Sequence, residues 1–234
     1  MPLSLNTRAV GDVTIVRCNG RIVAGGETES LREHITALRQ DHRAFVLHLG
    51  EVVFIDSSGL GTLVRLLTTT RRIGGDLKLC NLPEAVDRVL QMTNLITLFD
   101  THESEEHAVS AFYRRKTTSE RAAVVGPSIL CVDHSADMLA YLRELLRNAG
   151  YNVITNSSLH DSLILMRATR PSLTVLGPNL TASLGTQQAF RTACASVPVV
   201  ELGSEFSTLD AGQAASELLE RIRVRLHCVQ ARGA

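Results

Sequence analysis

Several absences narrow what this chain can be. No apolar run approaches the ~18 residues needed to span a bilayer, and the opening MPLSLNTRAVGD lacks the charged and apolar regions of a secretory signal. A soluble cytoplasmic protein with no membrane partner is expected. No charge excess exists either: Lys+Arg and Asp+Glu both number 24 in 234 residues, so nothing in the bulk electrostatics favours nucleic acid. No CxxC pair occurs among Cys18, Cys80, Cys131, Cys194 and Cys228, and four of these lie within apolar segments. They read as reduced core thiols, with no metal site and no cofactor expected. Internal repeats and low-complexity tracts are also missing, so the two halves are treated as unrelated units.

What is present divides near the middle. The apolar periodicity stops over Arg114–Arg121 (RRKTTSER), and Gly126-Pro127 precedes a fresh apolar strand. The expected organisation is a first domain at 1–115, a linker at 116–126 and a second domain at 127–230. In the first half, DVTIVRCNGRI alternates as a half-buried strand, and a helix carrying Leu31, Ile35 and Leu38 on one face follows Gly25-Gly26. AFVLHL, LKLCNL and ITLF read as further strands. Helices are expected after Asp56-Ser57-Ser58-Gly59, after Pro83 at its favoured first position, and from Ser104. Leu60, Leu63, Val64 and Leu67 give the first of these one apolar stripe. Strands first and alternation afterwards predict an α/β fold with a mixed sheet. The second half alternates SILCVD, YNVIT, SLTVLG and VPVVELG with four helical stretches, which predicts a parallel sheet covered on both faces.

The strand-to-helix corner VVFIDSSGLGTLV carries the chemistry. Ser57 or Ser58 could simply cap the helix. A dinucleotide turn would need a third small residue where Val64 stands. A serine nucleophile lacks the Gly-x-Ser-x-Gly elbow, and His34, His42 and His48 are not spaced as its base. A phosphorylatable serine is the fourth reading. A helix start favours an anion by roughly 0.3–1 kcal/mol, whereas about −2 of new charge buried against a partner costs several kcal/mol. Modification there would eject a partner and leave the domain folded.

GRIV…ESL, VLHLGEVVFIDSSGLGTLV, RRIGGDLKLCNLPEAVDRVLQMTNL and LFDTHESEEHAV together resemble the STAS domain of bacterial anti-sigma factor antagonists, across nearly all of Leu3 to Phe112. The resemblance implies partner switching without catalysis. The unmodified protein would bind a serine-kinase anti-sigma factor, a GHKL-type ATPase, and release the sigma factor. Phosphorylation at Ser57 would abolish binding, and a PP2C-type phosphatase would reverse it. Asp56, Ser58, Gly59, Leu60 and Gly61 would surround the phosphosite and meet the partner. Better-known antagonists carry an acid close to the phosphoserine, whereas here Val23 stands there and Glu27 is the nearest acid. The kinase contact at that point is left open. The alternative is a STAS scaffold in another assembly, with a diguanylate-cyclase or chemotaxis partner.

ILCVDHSADMLAYLRELLRNAGYNV, RPSLTVLGPNL and VPVVELGS are similar to the receiver domain of response regulators, from about Pro127 to Leu226. This implies a flavodoxin-like fold. A working receiver needs acids after its first strand for Mg²⁺, an acceptor Asp after the third and a Lys after the fifth. Here Asp133 remains, His134 replaces the second acid, and Gly177 stands at the acceptor position. No Lys follows Lys116. A silent, truncated pseudo-receiver acting by protein contact is expected, with Asp133 capping the next helix rather than holding metal. Homodimerisation is left open.

Overall fold

A computed structural model describes residues 1–119, 126–178, 180, 183–195, 197–203, 206 and 211–230. The chain divides into two compact units, Met1–Phe112 and Tyr113–Ala234.

Unit 1 is built on a five-stranded sheet in sequence order. Strand β1 (Ser4–Val10) turns at Gly11, whose φ of 60° suits a residue without Cβ, and pairs antiparallel with β2 (Val13–Ile22). Strands β3 (Ala44–Ile55), β4 (Asp76–Cys80) and β5 (Asp100–His102) then add in parallel. The sheet is therefore mixed, as alternation of helix and strand requires after an initial hairpin. Helices α1 (Gly26–Leu38), α2 (Ser57–Arg72) and α3 (Glu84–Met92) supply Leu31, Ile35, Leu60, Leu63, Leu67, Val86 and Leu90 to one core, against Val16, Phe45, Leu47, Leu77 and Leu79 of the strands. The stripe of α2 also takes in Leu66 and Thr70, and Val64 lies at its half-buried edge.

Helix α4 (Glu105–Ser119) reaches residues whose strand positions alternate with that core: Glu105 binds Arg8 and Arg17, and the Lys78 Nζ sits 4.9 Å from the Phe112 ring centroid. Both faces of the sheet are thus used. Three expectations change here. ITLF is not a strand: Leu95–Leu98 forms a single 3₁₀ turn, and the edge strand is Asp100–His102. Pro83 is the N-cap of α3 rather than its first residue. The expected linker at 116–126 begins inside α4, which continues to Ser119, and residues 120–125 lie outside the described residues.

Unit 2 holds a four-stranded parallel sheet of β6 (Ser128–Val132), β7 (Asn152–Asn156), β8 (Leu173–Leu176) and β9 (Val199–Glu201), in the order β7-β6-β8-β9. Helices α5 (Ala136–Asn148) and α8 (Ala211–Gln230) share a core of Leu139, Leu142, Leu146, Leu218 and Ile222 with Ile129, Cys131 and Val175. Helix α6 (Leu159–Thr169) meets the opposite face, where Thr174 Oγ1 lies 3.4 Å from Met166 Sδ, and α7 (Leu184–Ala193) packs beside it. A run of consecutive buried residues, as in Ile129–Val132, follows from burial on both sides. No helix among the described residues is long and apolar enough to cross a membrane.

Candidate functional site

The first turn of α2 is held by a carboxylate rather than a hydroxyl. Asp56 is extended (φ −99°, ψ −179°) and is the N-cap. Its Oδ1 accepts the Gly59 N–H at 2.8 Å, and its Oδ2 accepts the Ala24 N–H at 2.9 Å. Its own N–H donates to Ile22 O at 3.3 Å, and its carbonyl accepts the Leu60 N–H at 2.9 Å. One side chain therefore ties the end of β2 to the start of α2. Donation from Ala24 and then Gly59 holds the Asp56 carboxyl below its ordinary value.

Both serines are consequently free of the capping task expected of one of them. Ser57 and Ser58 are exposed on the first turn of α2, beside the positive end of the helix. Gly61 is exposed with open space around it. Gly59 and Leu60 point the other way. A Cβ on Gly59 would come 2.2 Å from Ile22 O, and Leu60 is only 6% exposed in the core. These two residues set the approach of helix to sheet, and Asp56, Ser57, Ser58 and Gly61 form the accessible corner. Val23 is half-buried, and Glu27 lies in the first turn of α1. His34 Nε2 lies 2.5 Å from Thr7 Oγ1, and the ring of His48 accepts the Gly50 N–H, so neither is directed to Ser57.

Comparison with known proteins now bears on this corner. A STAS-domain family model matches residues 4–108. The anti-sigma-B factor antagonist of Bacillus subtilis is 33% identical over 79 residues, spanning 34% of this chain and 72% of that protein. The chain belongs to the STAS-domain family. BtrV of Bordetella bronchiseptica is 28% identical to its STAS unit over 102 residues, or 43% of this chain and 88% of that one. The solved structure of TM1081 from Thermotoga maritima is 26% identical, covering 46% of this chain and 92% of its own, with a TM-score of 0.44. The matched residues 4–108 take in the corner at the start of α2.

In unit 2, Asp133 is fully buried at the end of β6 and its Oδ1 accepts the Ser135 N–H at 2.6 Å. The helix cap is Ser135, whose Oγ accepts the Met138 N–H at 3.3 Å, so the capping role expected of Asp133 falls two residues along the chain. His134 is exposed. Gly177 donates its N–H to Val132 O at 2.8 Å, and a Cβ there would stand 1.8 Å from Asp133 Oδ2. The Asp133 carboxylate thus occupies the space into which any side chain at 177 would grow. Among the described residues no three His, Cys, Asp or Glu gather as a metal site. Cys18, Cys80 and Cys131 are free and buried, which pushes their thiols up to about 12; Cys194, also buried, rises to about 11. The side chain of Cys228 lies outside the described residues.

Sequence reasoning gathered the corner residues from one contiguous motif. It missed the Ala24 N–H, since a backbone donor brought in from the turn between β2 and α1 leaves no side-chain signature.

Proposed function

We propose that the STAS unit is a phosphorylation-controlled antagonist in a partner-switching system of the cytoplasm. The unmodified protein binds a serine-kinase anti-sigma factor of the GHKL ATPase type and frees its sigma factor. In the modification, Ser57 Oγ bonds to the γ-phosphorus of ATP, ADP leaves, and the hydroxyl proton passes to solvent. A PP2C-type phosphatase hydrolyses the ester. The protein itself catalyses nothing, and Ser57 is an acceptor rather than a catalytic residue.

The observation that carries this reading is the exposed Ser57 on a helix start whose cap is already filled by Asp56. Phosphate at this position sits where backbone N–H groups and the helix dipole favour an anion, so the fold tolerates it. A docked partner surface does not, because a charge of about −2 must then be desolvated. The names of the Bacillus subtilis and Bordetella bronchiseptica relatives agree with an anti-sigma factor as the partner.

Unit 2 is read as a flavodoxin-like, degenerate receiver that acts by protein contact. Gly177 offers no carboxylate to a phosphoryl donor, and its neighbour Asp133 is already hydrogen-bonded. The test is mass spectrometry of the native protein together with binding to the kinase that copurifies with it. Phosphate on Ser57, Ser57→Asp losing at least a hundredfold in affinity and Ser57→Ala retaining it are expected. Ser57→Asp binding as tightly as wild type overturns the proposal.

A further inference from the structure

Strand β3 breaks its own alternation immediately before the corner. Along most of its length, successive residues face the core and the opposite side of the sheet in turn. Its pairing with β2 runs Arg17↔His48 then Asn19↔Glu51, and Gly20↔Val52 then Arg21↔Phe54. Each step inserts an extra residue into β3, the second being Val53. A regular strand burying Val52 would also bury Phe54 and expose Ile55. Because of the bulge, Val52 and Ile55 both enter the core, and Val53 and Phe54 are left 67% and 53% exposed. Two adjacent large apolar side chains in water are a cost that the fold sustains close to the exposed Ser57.

We infer that Val53 and Phe54 are an apolar anchor for the protein partner whose binding Ser57 controls, and that this partner offers an apolar pocket rimmed by carboxylates. The inference rests on the partner-switching reading and names the surface through which it operates. Continuity places the anchor in the same footprint as the serine: Ser57 is three steps along the chain from Phe54, at most ~10 Å, well within a typical protein interface. Charge selects the kind of partner. Arg21 is the register neighbour of Phe54, shares its face and is exposed, and among the described residues it makes no ion pair. A carboxylate rim complements that guanidinium. The same rim repels a phosphate on Ser57, and the phosphate also competes for Arg21. Both effects act in the direction that a phosphorylation-released complex requires. Aromatic anchors of this type typically carry a large share of interface affinity.

The experiment uses the full chain with p-benzoylphenylalanine at position 54 as the photocrosslinking probe, in cells and with purified proteins. The expected adduct is with a protein that, once purified, transfers the γ-phosphate of ATP to Ser57, and the adduct is lost in the Ser57→Asp background. Phe54→Ala then weakens binding of that kinase by about thirtyfold or more, with an unchanged melting temperature. Val53→Lys, which keeps the phenyl ring, weakens it less. Arg21→Glu weakens it chiefly at low salt. An adduct with a second copy of this chain or with its own unit 2, or a Phe54→Ala variant that binds the kinase within twofold of wild type, overturns the inference while Ser57 phosphorylation stands. Absence of any Ser57 phosphorylation removes the partner-switching reading and this inference with it.

Discussion

Asp56 is the residue on which the corner depends, because its two oxygens serve two different elements. Its carboxyl is held below the ordinary 3.8 by N–H donation from Ala24 first and Gly59 second. A depressed folded-state value adds stability that is fully present above the unfolded-state value and is lost as pH falls through the folded-state value. The melting temperature of wild type should therefore exceed that of Asp56→Ala by a constant margin above about pH 5, and the gap should narrow below pH 3.8. Thermal melts from pH 7 to pH 2.5 check this; a gap independent of pH would mean that the charge is irrelevant to the cap. The motif Asp-Ser-Ser-Gly was legible as a helix start, yet its cap was not: Ser57 or Ser58 was expected there, and Asp56 takes the role. Asp and Ser cap about equally well, and the Ala24 N–H that decides for Asp56 comes from more than thirty positions away in sequence.

Among the elements, α4 packs on its sheet face with little grease. Ala108 and Val109 are buried, and Glu105 against Arg8 and Arg17 and the Phe112 ring beside the buried Lys78 ammonium add polar and cation–π anchorage. Burial pushes the Glu105 carboxyl up, but the Arg17 hydrogen bond and the charges of Arg8 and Arg17 outweigh it and hold it below the ordinary value. Glu105→Ala should cost about 1–3 kcal/mol, read as a lower urea midpoint, and should speed amide exchange in α4 before that in α2. Equal exchange in both helices would place the loss elsewhere. The edge of the same sheet explains a misreading. ITLF is rich in strand formers, but Asn94 at φ 58° turns the chain, and Leu95 and Ile96 pack on the core as a 3₁₀ turn. The strand that forms is Asp100–His102, in whose register Asp100 meets Lys78, and periodicity has no access to that ion pair. Strand β1 escaped notice for a related reason: an edge strand of the pattern Ser-Leu-Asn-Thr-Arg-Ala-Val carries too little apolar alternation to announce itself.

For the molecule as a whole, the decisive contrast is between the exposed Ser57 at the corner of the STAS unit and the space beside Gly177 in unit 2, which Asp133 fills. Restoring an acceptor in unit 2 should fail. Gly177→Asp places a Cβ 1.8 Å from Asp133 Oδ2 and a second carboxylate against a buried one. The full-length variant should melt at lower temperature than wild type and take up no phosphoryl group from acetyl phosphate, as measured by intact mass. A stable variant with an acyl phosphate at 177 would show that the pocket opens readily. The sequence alone determined the alternation of helix and strand after β2, apart from the edge at ITLF, together with the two-part organisation and the location of the corner, because periodicity, turn residues and a contiguous motif are local properties. Tertiary structure alone decided that Asp56 rather than a serine caps α2, that Gly59 is required by the Ile22 carbonyl, that a bulge turns Phe54 outward, and that Asp133 fills the space beside Gly177. Each of those outcomes is a meeting of groups distant in sequence, and which of them touch is settled only when the strands find their register.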